Sequence, residues 1–406
     1  MLWRIGGNRK SCDLGAKARP RALCRARIGL QSPPRRAILE GLGGTNLNKL
    51  LLTIAAAAMA AHAGTLFLPA YPHALLVFDE GKGQVVDRIE LETGTPLAMR
   101  LAANRRTIYV TTIDHSGIEV VDVASHKVTN HFVLNTATKQ FRMRSGAPDP
   151  QGKLFYTVTK EIDKFPDHYE VAKAKFTVID LEQHKIVKTA EIPHEDESQN
   201  EAGFGRFTLE VSPDGKYLYQ FGAKISIWRT DDLTLVDHLD LAQTDFEGME
   251  RVRLGSDLDL IGQPGRHVSV FNSSDPIVHR KIFGIGRFDL TTRQVDFDPI
   301  GPAPGGMSGL QVTPDKKFAY AIVSNGRFGN KRCEFWAFDL TSDQIRQTAE
   351  VPCRSRFSFG MASDGTKLYI YGAGFEIEVY DAATLKYERT YDLKNDITYA
   401  GIAVVP

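Results

Sequence analysis

The residues able to do chemistry are few and scattered. Ten of the eleven histidines follow residue 63, and none stands in HExxH or another paired metal-ligand spacing. His194-Glu195-Asp196-Glu197 could hold a cation, or could be a solvated loop between repeats. No GxSxG elbow, P-loop or kinase set is present. Gly301-Pro-Ala-Pro-Gly-Gly306 is glycine-rich, but no helix follows it to cradle a phosphate. His115, Arg142 and Glu161 are the types a lactone hydrolase uses, without a fixed motif to join them. Aromatic and basic side chains gather in a few turns instead: Tyr71, His73, Asp114, His115, Arg142, His168, Tyr169, Arg327 and Phe328. Such groups suit a ligand pocket or a partner surface, or are ordinary exposed loop residues. Phe328, in SNGRFGNKR, stands among Gly and Asn that would leave a large ring poorly covered, which a partner surface would explain.

The elements that position these turns come from a repeat. A short apolar run ending in Asp recurs seven times: LLVFD79, IEVVD122, FTVID180, ISIWRTD231, IGRFD289, FWAFD339 and IEVYD381. The spacings are 43, 58, 51, 58, 50 and 42 residues. A turn and a strand with Tyr or Phe precede most copies, as in NRRTIYVTT, SPDGKYLYQF, TPDKKFAYAIV and SDGTKLYIYG; the fifth is worn to SDLDLIGQ. Each unit reads as strand a, a Pro-Asp-Gly-type turn, strands b and c, a turn opened by Asp, and strand d. Four antiparallel strands repeated every 42 to 58 residues predict an all-β, seven-bladed β-propeller. The body opens on a strand b, GTLFLPAY, and ends on a strand a, DITYAGIAVVP. The C-terminal strand is therefore expected to complete the first blade. Surplus length is expected at 160–175 in the third copy and 263–284 in the fifth. The mouths of the central channel are the expected sites, with loops d→a and b→c sharing one and the Pro-Asp-Gly turns the other.

Residues 47–63, LNKLLLTIAAAAMAAHA, carry Lys49, an apolar stretch and Ala61-His62-Ala63 before Gly64. This is the pattern of a signal peptide, too short to span a membrane. A buried helix is the alternative. Residues 1–46 have scattered Arg and no apolar period, and read as an over-extended start or an extended leader. The propeller is then 64–406, and the expected compartment is the periplasm.

The chain has 406 residues, 42% of them hydrophobic, which excludes disorder as a whole. The net charge of +1 averages unlike parts: the first 49 residues hold 11 Lys/Arg and two acids, leaving 39 basic against 47 acidic residues beyond them. An acidic body argues against nucleic-acid binding. Cys12 and Cys24 fall in the leader. Cys333 begins a strand c and Cys353 follows the next strand d, with 333 facing about 351 across the hairpin. A disulfide is expected, against two free buried thiols. Trp228 and Trp336 stand at strand-c positions and read as core. No CxxCH is present, so this chain carries no c-type haem motif.

TIYVTTIDHSGIEVVDVASHKV is similar to the broad YVTN-type propeller repeat. The opening LFLPAYPHALLVFDEGKGQVVDRIEL, the insertion PDHYEVAKAKFTVIDLEQHK and the ending EVYDAATLKYERTYDL resemble the β subunit of quinohaemoprotein amine dehydrogenase. The resemblance implies a periplasmic, non-redox platform with no cofactor of its own. Its implied partners are a small subunit bearing cysteine tryptophylquinone and a dihaem cytochrome c subunit. The propeller then helps wall a pocket for a primary amine. The resemblance assigns no catalytic residue here. Two other readings stay open: an exported binding propeller without catalysis, and a lactonase.

Overall fold

The computed structural model describes residues 64–192, 207–222, 224–241, 252–254, 265–275, 277, 279–342, 344–354, 357–372, 374–398 and 400–406. They form seven antiparallel sheets, one per blade, and the only helix among them is a single 3-10 turn, Phe328–Asn330. In order a, b, c, d, blade 2 is Pro96–Leu101, Thr107–Thr112, Gly117–Asp122 and Lys127–Val133. Blade 3 is Lys139–Pro148, Leu154–Lys164, Lys175–Asp180 and Lys185–Glu191, with a fifth strand, Tyr169–Val171, on the b→c hairpin. Blade 4 is Thr208–Val211, Tyr217–Phe221, Ile225–Arg229 and Leu235–Leu239. Blade 5 is Arg253–Leu254, Arg266–Ser274, Lys281–Asp289 and Val295–Pro302. Blade 6 is Gly306–Val312, Phe318–Asn325, Arg332–Asp339 and Gln344–Val351; blade 7 is Ser358–Met361, Lys367–Tyr371, Glu376–Asp381 and Tyr387–Asp392.

Blade 1 takes its strands b to d from Thr65–Ala70, Ala74–Asp79 and Gln84–Glu90, and its strand a from Ala403–Val405 at the other end of the chain. The closure expected from the sequence is therefore present, in the register Thr65↔Val405, Leu66↔Val404 and Phe67↔Ala403.

Alternation along each strand builds the ring. Leu66, Leu68 and Ala70 pack with blade 7, whereas Phe67 between them packs with blade 2. Both faces of each sheet are thus covered, which is why strands b and c read as unbroken apolar runs such as LLVF. Among the described residues the apolar side chains fall into seven clusters, one at each junction between neighbouring blades. Trp228 lies in the blade 3–4 cluster against Phe176, as expected of a core residue.

The recurrent Asp does local work. Asp79, Asp122, Asp180, Asp289, Asp339 and Asp381 each accept backbone N–H bonds from residues two or three further on. This is the Asx-turn chemistry that makes Asp fit the c→d turn. The backbone N–H of Lys82 holds the Asp79 carboxyl below its ordinary range, and the Ser125 hydroxyl does the same for Asp122.

Two details correct the sequence reading. In blade 4 the strand-c terminal position is Arg229, paired with Tyr217; Asp231 lies two residues later and binds the Arg229 guanidinium. In blade 5 strand b is Arg266–Ser274, not SDLDLIGQ, which lies outside the described residues. The surplus expected at 263–284 is a long b–c hairpin, with nine residues in each strand. In blade 6 Cys333 pairs with Val351, and the Cys333–Cys353 disulfide is formed across a Cα separation of 5.2 Å.

Ring closure makes a sharp prediction. Val404 is 2% exposed in the blade 7–1 cluster, and Val86 is 41% exposed on an outer strand. Val404→Asp places a charge there without a partner and should destabilise the protein by about 3 kcal/mol or more. Val86→Asp should stay within about 0.5 kcal/mol. Urea unfolding compares them, and equal losses would contradict closure through the C-terminal strand.

Candidate functional site

A propeller has two unlike ends. Here the a→b and c→d turns carry the Asp caps, and the b→c hairpins and d→a links form the other end. Exposed large apolar side chains sort between them. Among the described residues some lie on outer strands, at Val86, Val133, Ile186, Val187, Leu235, Val236, Ile345 and Tyr387. All others belong to the b–c end: Tyr71, Leu97, Ile113, Ile277 and Phe375, with Phe165, Tyr169 and Val171 on the blade 3 hairpin. None lies in an a→b or c→d turn.

The residues singled out from the sequence can be placed individually. Tyr71 and His73 form the b→c turn of blade 1, where the Tyr71 N–H donates to the Asp396 carbonyl. His73 Nε2 is 4.0 Å from Glu90. In blade 2 the Asp114 carboxylate accepts the Thr95 N–H at 2.6 Å, which lowers its pKa. Gly94, at φ +117°, leaves the room, since a Cβ there would meet Asp114 Oδ2 at 2.3 Å. His115 beside it is exposed. Arg142 is not in a loop: it lies on inner strand a of blade 3, facing Lys160.

The blade 3 hairpin is the most built element of this end. Its fifth strand pairs Tyr169 with Lys164 and Val171 with Ile162. His168 stacks on Phe165 with centroids 4.7 Å apart and contacts Asp167 and Glu170 at 2.8 and 3.5 Å. Tyr169 is left 68% exposed. At the hairpin's base Lys139 binds Glu161 and lies 3.4 Å from Asp163. Glu161 pairs with Phe141 and Arg142 with Lys160, so Arg142 and Glu161 point to opposite faces of the sheet. The His115–Arg142–Glu161 set of a lactone hydrolase is therefore not assembled. Arg327 is exposed on the b→c turn of blade 6; the Phe328 side chain and the run 194–197 lie outside the described residues. Among the described residues no hydrogen bond or ion pair joins candidates on different blades, so they form a surface rather than a catalytic cluster. No group of three potential metal ligands is present among them, and no helix there is long and apolar enough to cross a membrane.

A polar set that was not singled out lies on the inner strands. Strands a are innermost, since they bond directly between blades, as Met99 N–H does to the Ala400 carbonyl and Leu209 N–H to Ser145 Oγ. Arg100 of blade 2 reaches along this wall. It donates to the carbonyls of Gly146 in blade 3, at 3.4 Å, and Leu209 in blade 4, at 2.9 Å, and lies 3.8 Å from Glu210. Glu210 is also 2.5 Å from His267 Nδ1 of blade 5, and the His267 ring stacks on Phe221 at 3.7 Å. The signal was the aromatic of strand b. Tyr109, Tyr156, Tyr219, Tyr320, Tyr369 and Phe67 pair respectively with Arg100, Ala147, Glu210, Gln311, Gly360 and Ala403, the ring of inner positions. A second buried carboxylate, Glu119, accepts both the N–H and the hydroxyl of Thr93 with Oε1, at 2.6 and 2.7 Å.

No family model matches the chain, and no curated protein matches it. Solved structures do. A functionally unknown protein from Desulfotomaculum acetoxidans DSM 771 aligns with TM-score 0.51 at 11% identity, over 85% of this chain and 99% of that one. That likeness concerns the fold alone. Dihydro-heme d1 dehydrogenase NirN aligns at TM-score 0.46 and 13% identity, over 83% of this chain and 74% of its own. Kuenenia stuttgartiensis hydrazine synthase aligns at 0.41 and 14%, over 77% and 86%. These two scores are too low to carry a functional argument.

The inner-wall set yields a prediction. Arg100→Met leaves the buried Glu210 carboxylate with one partner fewer, and should destabilise the fold by about 2 kcal/mol. Glu210→Gln combined with it should recover part of that loss, giving a coupling of about 1 kcal/mol in a double-mutant cycle by urea unfolding. Strict additivity would deny the bridge.

Proposed function

We propose that the chain is the non-redox propeller subunit of a periplasmic quinohaemoprotein amine dehydrogenase complex, exported by the segment 47–63. One observation carries the reading: the b–c end holds every exposed large apolar side chain that is not on an outer strand, whereas the Asp-turn end holds none among the described residues. A surface of that composition suits burial against companion chains. The family resemblance supplies the companions, a small subunit bearing cysteine tryptophylquinone and a dihaem cytochrome c subunit. The quinone would oxidise a primary amine and the haems would accept its electrons.

The part of this chain is docking and enclosure. The rigid sheets hold the b→c turns in place, and the blade 3 hairpin presents Phe165, His168 and Tyr169 as a wall for the amine pocket or the companion. His168 is already paired with acids of its own hairpin, so its role is to shape that wall.

Native protein purified from periplasm at low salt tests the reading. Haem absorption, two further chains and amine-dependent reduction of a dye are expected. Phe165→Ala with Tyr169→Ala should reduce co-purified haem at least about tenfold, since aromatic anchors commonly contribute more than 1.4 kcal/mol each. A colourless single chain without amine turnover would overturn the reading and leave a stand-alone binding propeller.

A further inference from the structure

We infer that the blade 5–6 sector of the b–c end is a docking patch for a protein partner with an acidic surface. The inference deepens the docking reading above and rests on it for the choice of end. Two adjacent hairpins build the patch. Blade 5 contributes Arg280 and Lys281, and blade 6 contributes Arg327, Lys331 and Arg332, all exposed. None of the five makes an ion pair with a described residue. On a body with 39 basic and 47 acidic residues beyond position 49, these five cations outnumber the acids beside them, Asp275, Glu334 and Glu350, a local reversal of sign.

Two of these acids are also held by local hydrogen bonds. Asp275 Oδ1 accepts the Ile277 N–H at 2.7 Å, and Glu334 accepts the Trp336 indole N–H at 2.9 Å. At the tip of the blade 5 hairpin Ile277 is 83% exposed, an apolar anchor beside the cations. An apolar contact ringed by charge is the usual anatomy of a protein interface.

The patch is held in shape before any partner arrives. Ala303 N–H donates to the Lys281 carbonyl and Gly305 N–H to Asn325 Oδ1, so the link 303–305 ties the two hairpins together. Gly326, at φ +81°, closes the blade 6 turn, where a Cβ would meet the Asn330 carbonyl at 2.2 Å. The Cys333–Cys353 bond staples the base of that hairpin, with Cys353 Sγ 3.7 Å from the Lys331 carbonyl. A preformed backbone spares the cost of ordering the hairpins on binding, and the cations steer an acidic partner to this sector.

A bilayer fits less well. Elsewhere on the same end Glu90, Glu92, Asp114, Asp167 and Glu170 are exposed and would face anionic headgroups together with the cations. A protein can place its acids opposite blades 5 and 6 alone.

The test uses the isolated full chain with poly-L-glutamate as acidic probe, read by fluorescence anisotropy. The wild type should bind, and added salt should weaken binding. Lys281→Glu, Arg327→Glu and Arg332→Glu together should weaken it at least about tenfold. Reversing Lys216, Arg266 and Lys316 at the Asp-turn end should change it less than about twofold. Equal losses from both sets, or no loss from the first, would overturn the inference. So would sedimentation with phosphatidylglycerol–phosphatidylcholine vesicles that the first set abolishes, because the patch would then read lipid. The outcome separates from that of the amine dehydrogenase reading. Probe binding lost in the variant, with no haem on the native wild type, keeps the patch and removes the complex. Haem retained by the triple variant at the wild-type salt tolerance keeps the complex and removes the patch.

Discussion

Every blade must bury both of its faces against neighbours, and the whole structure depends on that constraint. A four-stranded sheet with one face in water could leave half of its side chains polar. These sheets cannot, and so Leu66 and Leu68 serve one junction while Phe67 serves the next. The requirement is circular: blade 1 needs blade 7 as much as blade 2. A chain meets it only by returning, and the pairing of Thr65–Ala70 with Ala403–Val405 is that return. Once the ring is closed its interior has little freedom, and variation is confined to the turns and the outer strands.

The two ends use that freedom differently. At the Asp-turn end the polar groups satisfy one another, as the carboxylates of Asp79, Asp122 and Asp381 do with backbone and hydroxyl groups three residues away. Such a surface has little left to offer a partner. At the b–c end the hairpins are longer in blades 3 and 5, and they carry Tyr169, Phe165 and Ile277 into solvent. The same end carries more cations than acids on blades 5 and 6. Polarity between the ends is the feature of the described residues on which the docking reading rests.

The parts of this architecture that depend on local chemistry were legible in the sequence. Recurrent apolar runs marked the strands, Asp marked the c→d turns, and the strand assignments at the two ends of the body foretold closure. The pairing of Cys333 with Cys353 followed from hairpin register, because residues facing each other across a turn can be counted. Local chemistry failed where a neighbour decides the outcome. Blade 4 puts Arg229 at the Asp position and moves its acid two residues on, which the shared motif concealed. Strand b of blade 5 hides in RHVSVFNSS because its buried His267 and Ser269 break the apolar run. His267 is buried beside Glu210 of another blade, a partner 57 positions away. Arg100 likewise finds Leu209 at a separation of 109. No local pattern announces contacts of that range; the register of the strand-b aromatics does. The placement of Arg142 on an inner strand instead of a loop has the same origin.

Hydrogen exchange on the protein purified from its native cells with whatever chains accompany it, compared with the isolated chain, tests the central claim most directly. The account predicts added protection at the b–c end, in 71–73, 113–115 and the 160–175 hairpin, and in 275–281 and 325–332, with the Asp turns unchanged. Protection confined to the Asp turns at 79–83, 122–126 and 381–385 would contradict it.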